Sequence, residues 1–190
     1  GRPRSGPHRL ILTPGVRADG GDLVDIVSLD MPYIADSVLA ALNALGIAPL
    51  LVAHPVVTLD RQSRRLLERP SAEAEVLSIL HLHLPATDED RREALRQELG
   101  ARLDAVSAAT ADWRAMLSRL AQAAEMVGND GPLAGDSTEA VRLLGWIAET
   151  NFIFLGMRDY RLDAAGGLLP GEGLGLLAGP HVKVLRPGGA

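Results

Sequence analysis

Few residues in this chain have the type and spacing to do chemistry. His81-x-His83 places two imidazoles on one face of a strand, and His54 is a conceivable third nitrogen. No cysteine exists and no carboxylate stands at partner spacing, so the expectation is no metal and an exposed or interface face of a sheet. Gly173-x-Gly175-x-x-Ala178 has the lettering of a dinucleotide loop. That loop needs a strand before it and a helix after it. Here Gly167 to Gly171 precede it, and Gly179-Pro180 would stop a helix, so the stretch is expected to be a loop without cofactor. Ser37 beside Asp36 lacks a Gly-x-Ser-x-Gly setting, and local hydrogen bonding explains the pair. Lys183, the only lysine among 19 basic residues, lies between apolar neighbours. No catalytic residue is assigned. The best candidate is the turn Asp30, Met31, Pro32, Tyr33, Ile34. A strand running into a helix start leaves free N–H groups and a favourable dipole, suited to a carboxylate ligand. The simpler reading, which is favoured, is that Asp30 caps the helix.

The elements that position these residues read from local patterning. His8 to Leu12 is a short strand ended by Thr13-Pro14-Gly15, and Leu23 to Leu29 is a strand mostly buried. After Asp30-Met31-Pro32 a helix puts Ile34, Val38, Ala41, Leu42 and Leu45 on one face, and Gly46 suits the left-handed position beyond its end. Ile47 to Leu59 is a strand in which Pro55, lacking an N–H, implies a bulge or edge. Arg65 to Glu68 returns as a short strand. Val76 to Leu84 is a strong strand whose one face is Leu77, Ile79, His81 and His83, expected at a subunit or domain contact. Thr87 and Asp90 match a helix-start pattern, and the helix runs to Leu99 with Gly100 at its end. Ala101 to Ala108 reads as a short strand or as more helix, with the strand favoured. Trp113, Met116, Leu117, Leu120, Ala124 and Val127 follow a helical period. Residues 128–135 are a linker. Asp136 or Ser137 starts a helix with Ala140, Leu143, Leu144 and Ile147 inward; Trp113 and Trp146 are expected in packing. Phe152 to Tyr160 and His181 to Leu185 are strands.

The fold class is therefore α+β: one antiparallel sheet with helices on one face, for which the ferredoxin-like βαββαβ arrangement is the usual solution. Three segments follow: residues 8–108 as the first domain, 109–135 as helix and linker, 136–190 as the start of a second α+β domain.

Composition narrows the function classes. A hydrophobic fraction of 47% supports a core, and the net charge of −5 with scattered arginines offers no stripe for nucleic acid. No apolar run approaches the ~18–20 residues that span a bilayer. Gly1 to Arg9 lacks a signal-peptide core, and absent cysteine fits a reducing compartment, so a cytoplasmic protein without membrane or nucleic-acid partners is expected. A start without Met and a stop in Pro-Gly-Gly-Ala look like the ends of a fragment.

Asp30-Met31-Pro32-Tyr33-Ile34-Ala35-Asp36-Ser37-Val38, continuing to Leu45-Gly46-Ile47, resembles the opening of an ACT domain. Tyr33 departs from that pattern, which usually has glycine there to let a small amino-acid ligand approach. A longer ordered series follows: Leu51-Val52-Ala53-His54-Pro55-Val56, Asp112-Trp113 with Met116-Leu117, Gly145-Trp146-Ile147-Ala148, Asn151 to Gly156, Arg158 with Tyr160, and Gly173 to Leu177. Together these resemble the N-terminal region of the large bacterial NAD-specific glutamate dehydrogenases over roughly residues 8 to 185. The resemblance implies an inert regulatory or assembly fragment. Its parent would oxidise glutamate to 2-oxoglutarate and ammonia with NAD in a downstream domain. It also implies contacts with the rest of that chain, a homo-oligomeric parent and a small amino-acid effector. The alternatives are an independent amino-acid-sensing module and a purely structural assembly domain.

Overall fold

The structure is a computed structural model and describes residues 8–16, 18–68, 74–129 and 137–179. The chain forms two compact units, Gly1–Ser107 and Ala108–Ala190.

In the first unit the order is β1 (His8–Thr13), β2 (Asp22–Leu29), α1 (Ile34–Ala44), β3 (Leu51–Ala53), β4 (Val56–Asp60), β5 (Ala74–Leu84) and α2 (Glu89–Ala111). The sheet runs β1-β2-β5-β3, β4 also pairs with β5, and every pairing is antiparallel. Alternation decides the layers. Val24, Ile26, Leu80, Leu82 and Leu84 share one face and are fully buried. They form one core with Ile34, Val38, Ala41 and Leu42 of α1 and Leu95, Leu99 and Leu103 of α2. Burial of each Val, Leu or Ile side chain in it stabilises the fold by roughly 1.5–3 kcal/mol. Both helices thus cover one face, and the other carries Asp25, Val27, Ile79, His81 and His83.

The end of α1 follows the expected geometry. Gly46 has φ of 65°. Its N–H donates to the Asn43 carbonyl at 3.0 Å, and the Ile47 N–H donates to the Leu42 carbonyl at 2.9 Å. This paired closure recovers two carbonyls and buries Ile47 beside Leu42. Of the two expectations for Pro55 the edge holds and the bulge does not: β3 and β4 each pair with β5 alone in one continuous register, and the long apolar strand is interrupted at His54-Pro55. The Ile79 N–H still donates to the Pro55 carbonyl at 3.0 Å, so only the donor that proline lacks is lost from the ladder. The expected strand at Arg65 to Glu68 shrinks to a single bridge, Leu59 to Leu66.

Residues 101–108 are helix, not the favoured strand, and Gly100 lies inside α2 rather than at its end. Leu95, Leu99 and Leu103 recur every four residues and are all buried, so the apolar stripe carries the helix through the glycine. Consequently the expected last strand of βαββαβ is absent here, and β1 flanks β2 at that edge of the sheet. The start of α2 also differs. Asp88, not Thr87, caps it by accepting the Arg91 N–H at 2.8 Å.

The second unit holds α3 (Trp113–Asn129), α4 (Ser137–Trp146), a π-helical turn (Ile147–Asn151), β6 (Gly156–Leu162) and β7 (Leu168–Gly175). β6 and β7 form an antiparallel hairpin. Residues 152–155 precede β6 and are not strand, and 171–175 belong to β7 rather than to a loop. Trp113 and Trp146 are about half exposed instead of packed inside. Trp146 meets Phe152 edge to face at 5.4 Å. Most of the linker, together with Asp136 and His181 to Leu185, lies outside the described residues.

Candidate functional site

The Asp30–Ile34 turn connects β2 to α1. Tyr33 is the N-cap residue of α1, with φ 67° and ψ 5°. An L-residue held in this left-handed region is strained by about 1–2 kcal/mol relative to the right-handed one. Tyrosine therefore occupies a backbone shape that glycine adopts freely. No side chain caps α1. Asp30 does not do so, contrary to the sequence expectation. Its Oδ1 accepts the Ser78 hydroxyl proton at 2.6 Å, and its N–H donates to the Val76 carbonyl at 2.9 Å. The single hydroxyl proton of Ser78 is thus committed. His54 Nε2, 3.1 Å from Ser78 Oγ, must then donate to it. The first turn of α1 opens with the Ser37 N–H bonded to the Tyr33 carbonyl at 2.9 Å.

The second group lies on the sheet face turned away from the helices. His81 is paired with Asp25 in the β2–β5 register, and His83 with Leu23. Asp25 Oδ1 stands 2.6 Å from His81 Nδ1. On the other side of the ring, His81 Nε2 is 2.9 Å from His83 Nε2, and the two rings meet edge to face. A proton on His81 Nδ1 satisfies the carboxylate and leaves Nε2 as an acceptor; His83 then supplies the N–H in the gap. Ile79 and Leu77 share this face, so the four expected interface residues are brought together; Leu77 is buried. Ile11, Leu29 and Leu51 on the same face are exposed. His54 bonds to Ser78 and not to the imidazole pair. Sequence reasoning missed Asp25. Strand parity gives its face, but only the register across 56 residues gives its partner.

A third polar group is architectural. Asp22 is 1% exposed. It accepts from Arg92 Nε at 3.0 Å and Nη2 at 3.2 Å, from the Thr87 hydroxyl at 2.7 Å and from the Gly15 N–H at 3.1 Å. Burial pushes its carboxyl up. The hydrogen bonds from Arg92, Thr87 and Gly15 and the Arg92 charge outweigh that and hold it below the usual carboxylate range. This cluster ties the β1–β2 connection to the entry of α2.

The Gly173 to Ala178 stretch does not build a dinucleotide loop. Gly173 and Gly175 end β7, and a turn rather than a helix follows. A Cβ at Gly173 would stand 1.9 Å from the Leu177 carbonyl oxygen, and Gly175 has φ of 60°. Backbone crowding accounts for both glycines.

An antiparallel sheet with two helices on one face, entered through a strand–turn–helix at Asp30, defines an ACT-like α+β module. Residues 11–99 match the family profile described as "Glutamate dehydrogenase, ACT1 domain". Residues 11–99 belong to this domain family, and the chain resembles the N-terminal region of NAD-specific glutamate dehydrogenases. It is 26% identical over 173 residues to an NAD-specific glutamate dehydrogenase of Halomonas elongata, covering 82% of this chain and 10% of that protein. It is 30% identical over 172 residues to an NAD-specific glutamate dehydrogenase of Mycobacterium tuberculosis, covering 84% of this chain and 10% of that protein. The chain thus spans about a tenth of the length of these relatives. Among the described residues, no helix is long and apolar enough to cross a membrane.

Proposed function

We propose that this chain is a non-catalytic regulatory and assembly region of an NAD-specific glutamate dehydrogenase. The parent would oxidatively deaminate L-glutamate to 2-oxoglutarate and ammonia, with NAD held in a domain outside this chain. The observation that carries the reading is the family match over residues 11–99, which runs from β1 through the sheet and α1 into α2. In this reading the parent is a cytoplasmic homo-oligomer, and the sheet face bearing Leu77, Ile79, His81 and His83 contacts another subunit or the rest of the parent chain. The sheet is a rearranged ferredoxin-like one, with β1 in the place of the last strand. Two assays test the reading. The 190-residue chain should not turn over glutamate with NAD, and turnover would overturn the inert assignment. In the full-length enzyme, deletion of residues 1–107 should alter assembly or effector response while leaving the glutamate reaction itself; loss of neither would overturn the regulatory role.

A second reading, an independent amino-acid-sensing module, draws on the Asp30–Ile34 turn. α1 starts without a side-chain cap, and Tyr33 keeps a glycine-type backbone. Calorimetry of the chain against the twenty amino acids decides it. Saturable heat that Tyr33→Ala alters supports sensing at this turn. Heat at background level for all twenty rejects it.

A further inference from the structure

We propose that His81 and His83 form a two-nitrogen chelate for a divalent transition-metal ion, with Asp25 orienting His81. The two residues sit two apart on β5 and share the face away from the helices. Their Nε2 atoms stand 2.9 Å apart. Ligand bonds of ~2.0–2.1 Å to one ion would make that separation subtend about 90° at the metal. This is the cis angle of a square-planar or octahedral ion such as Cu²⁺ or Ni²⁺. Tetrahedral Zn²⁺ wants about 109°, which needs roughly 3.3 Å between the nitrogens and so an opening of about 0.4 Å. Imidazole donors rank Cu²⁺ and Ni²⁺ above the earlier divalent ions, and they do not suit Mg²⁺ or Ca²⁺, which take oxygen ligands.

Asp25 is a second and independent observation. A ligating histidine characteristically gives its other ring N–H to a carboxylate, which fixes the tautomer and raises the basicity of the ligating nitrogen. Asp25 Oδ1 lies 2.6 Å from His81 Nδ1 in that position, with the ring's Nε2 turned toward His83. The face is also reachable. The side chains of His81 and Asp25 are 36% and 37% exposed, and α1 and α2 cover the opposite side of the sheet. Among the described residues, no group of three or more His, Cys, Asp or Glu is placed to enclose a metal. The chelate therefore has two protein nitrogens, and its remaining positions go to water or to a donor from outside this chain. In the metal-free protein the same two nitrogens share a proton, so metal and hydrogen bond compete for one pair of atoms.

Titration calorimetry of the untagged 190-residue chain with NiCl₂ in a non-coordinating buffer tests this. One saturable site per chain is expected. His83→Ala should abolish it, Asp25→Asn should weaken it about 10–100-fold, and His54→Ala should leave it unchanged. Mg²⁺ should produce no binding. Wild-type binding equal to that of His83→Ala, or loss in His54→Ala, would overturn the proposal; unchanged affinity in Asp25→Asn would overturn the role of the carboxylate. Electron paramagnetic resonance of the Cu²⁺-loaded wild-type chain keeps the test independent of variant folding. Coupling to two equatorial imidazole nitrogens is expected, and coupling to fewer overturns the chelate.

Discussion

Replacing Gly100 by alanine should stabilise the chain, and the sign of the effect tests the helix that carries Leu103. Gly100 lies inside α2, and a Cβ added there meets nothing within 4 Å. Alanine is favoured over glycine in a helix interior by about 1 kcal/mol, part of which comes from the smaller entropy of the unfolded chain. A gain of about 0.5–1 kcal/mol follows. For a unit of this size it corresponds to a rise of roughly 2–8 °C in the melting midpoint. Gly46→Ala is the matched control. A Cβ there also meets nothing within 4 Å, but φ is 65°. The same chemical change should then cost about 1 kcal/mol, because only the backbone conformation differs. Urea unfolding followed by circular dichroism measures both. If Gly100 instead ended the helix in a left-handed conformation with a strand beyond it, Gly100→Ala would lower the midpoint as Gly46→Ala does. That result would refute the continuous α2.

Asp22→Asn should destabilise the first unit by about 1.5–3 kcal/mol, because it removes the charge from the buried acceptor of Arg92, while Arg92 keeps its ion pair with Glu89. The depressed carboxyl adds a pH signature. The ionised form is bound more tightly in the folded state, so its contribution is complete above the unfolded carboxylate pKa of about 3.9 and is lost as the pH falls through the lower folded value. Denaturant midpoints from neutral to strongly acidic pH should show this acid-side loss in the wild type and less of it in the variant. Tyr33→Gly should change stability by less than about 1 kcal/mol, since relief of left-handed strain offsets glycine's entropy. Tyr33→Ile should fall below Tyr33→Gly by about 1 kcal/mol, because β-branched residues tolerate positive φ least. Gly173→Ala should distort the β6–β7 hairpin at a cost of about 1–3 kcal/mol, since the added atom collides with the Leu177 backbone. Limited proteolysis should then find the second unit cleaved faster while the first is unchanged.

What was legible in the sequence followed short-range rules. The buried face of α1, the left-handed Gly46 and the edge position of Pro55 each depend on a few neighbouring residues, and the structure has all three. The two faces of β5 also read from parity alone. The misreadings share a cause. Gly100 looked like a helix end because its propensity is poor, but burial of Leu103 one turn later outweighs about 1 kcal/mol of propensity. Thr87 fitted a capping pattern, yet its hydroxyl is taken by Asp22, 65 residues away, and the neighbouring Asp88 caps instead. Asp25 was passed over because nothing local distinguishes it; the β2–β5 register makes it the partner of His81.

Asp30 shows most clearly how long-range contacts reassign a local motif. The Asp-Met-Pro opening suggests a capping aspartate, and a capped start would leave no reason for a strained Tyr33. In the fold the carboxylate turns to Ser78, which is itself fully buried and held by His54. That bond, with the Asp30 N–H to Val76, fixes the end of β2 against β5. Ile34, 2% exposed, fixes the first residue of α1 in the core. With both ends pinned, the three residues between must close the distance whatever their side chains prefer. A non-glycine residue stays left-handed only where the surroundings over-determine it in this way. The ACT-like opening is therefore held by β5 from one side and by the core from the other. Glycine at position 33 is not required for the shape of the turn.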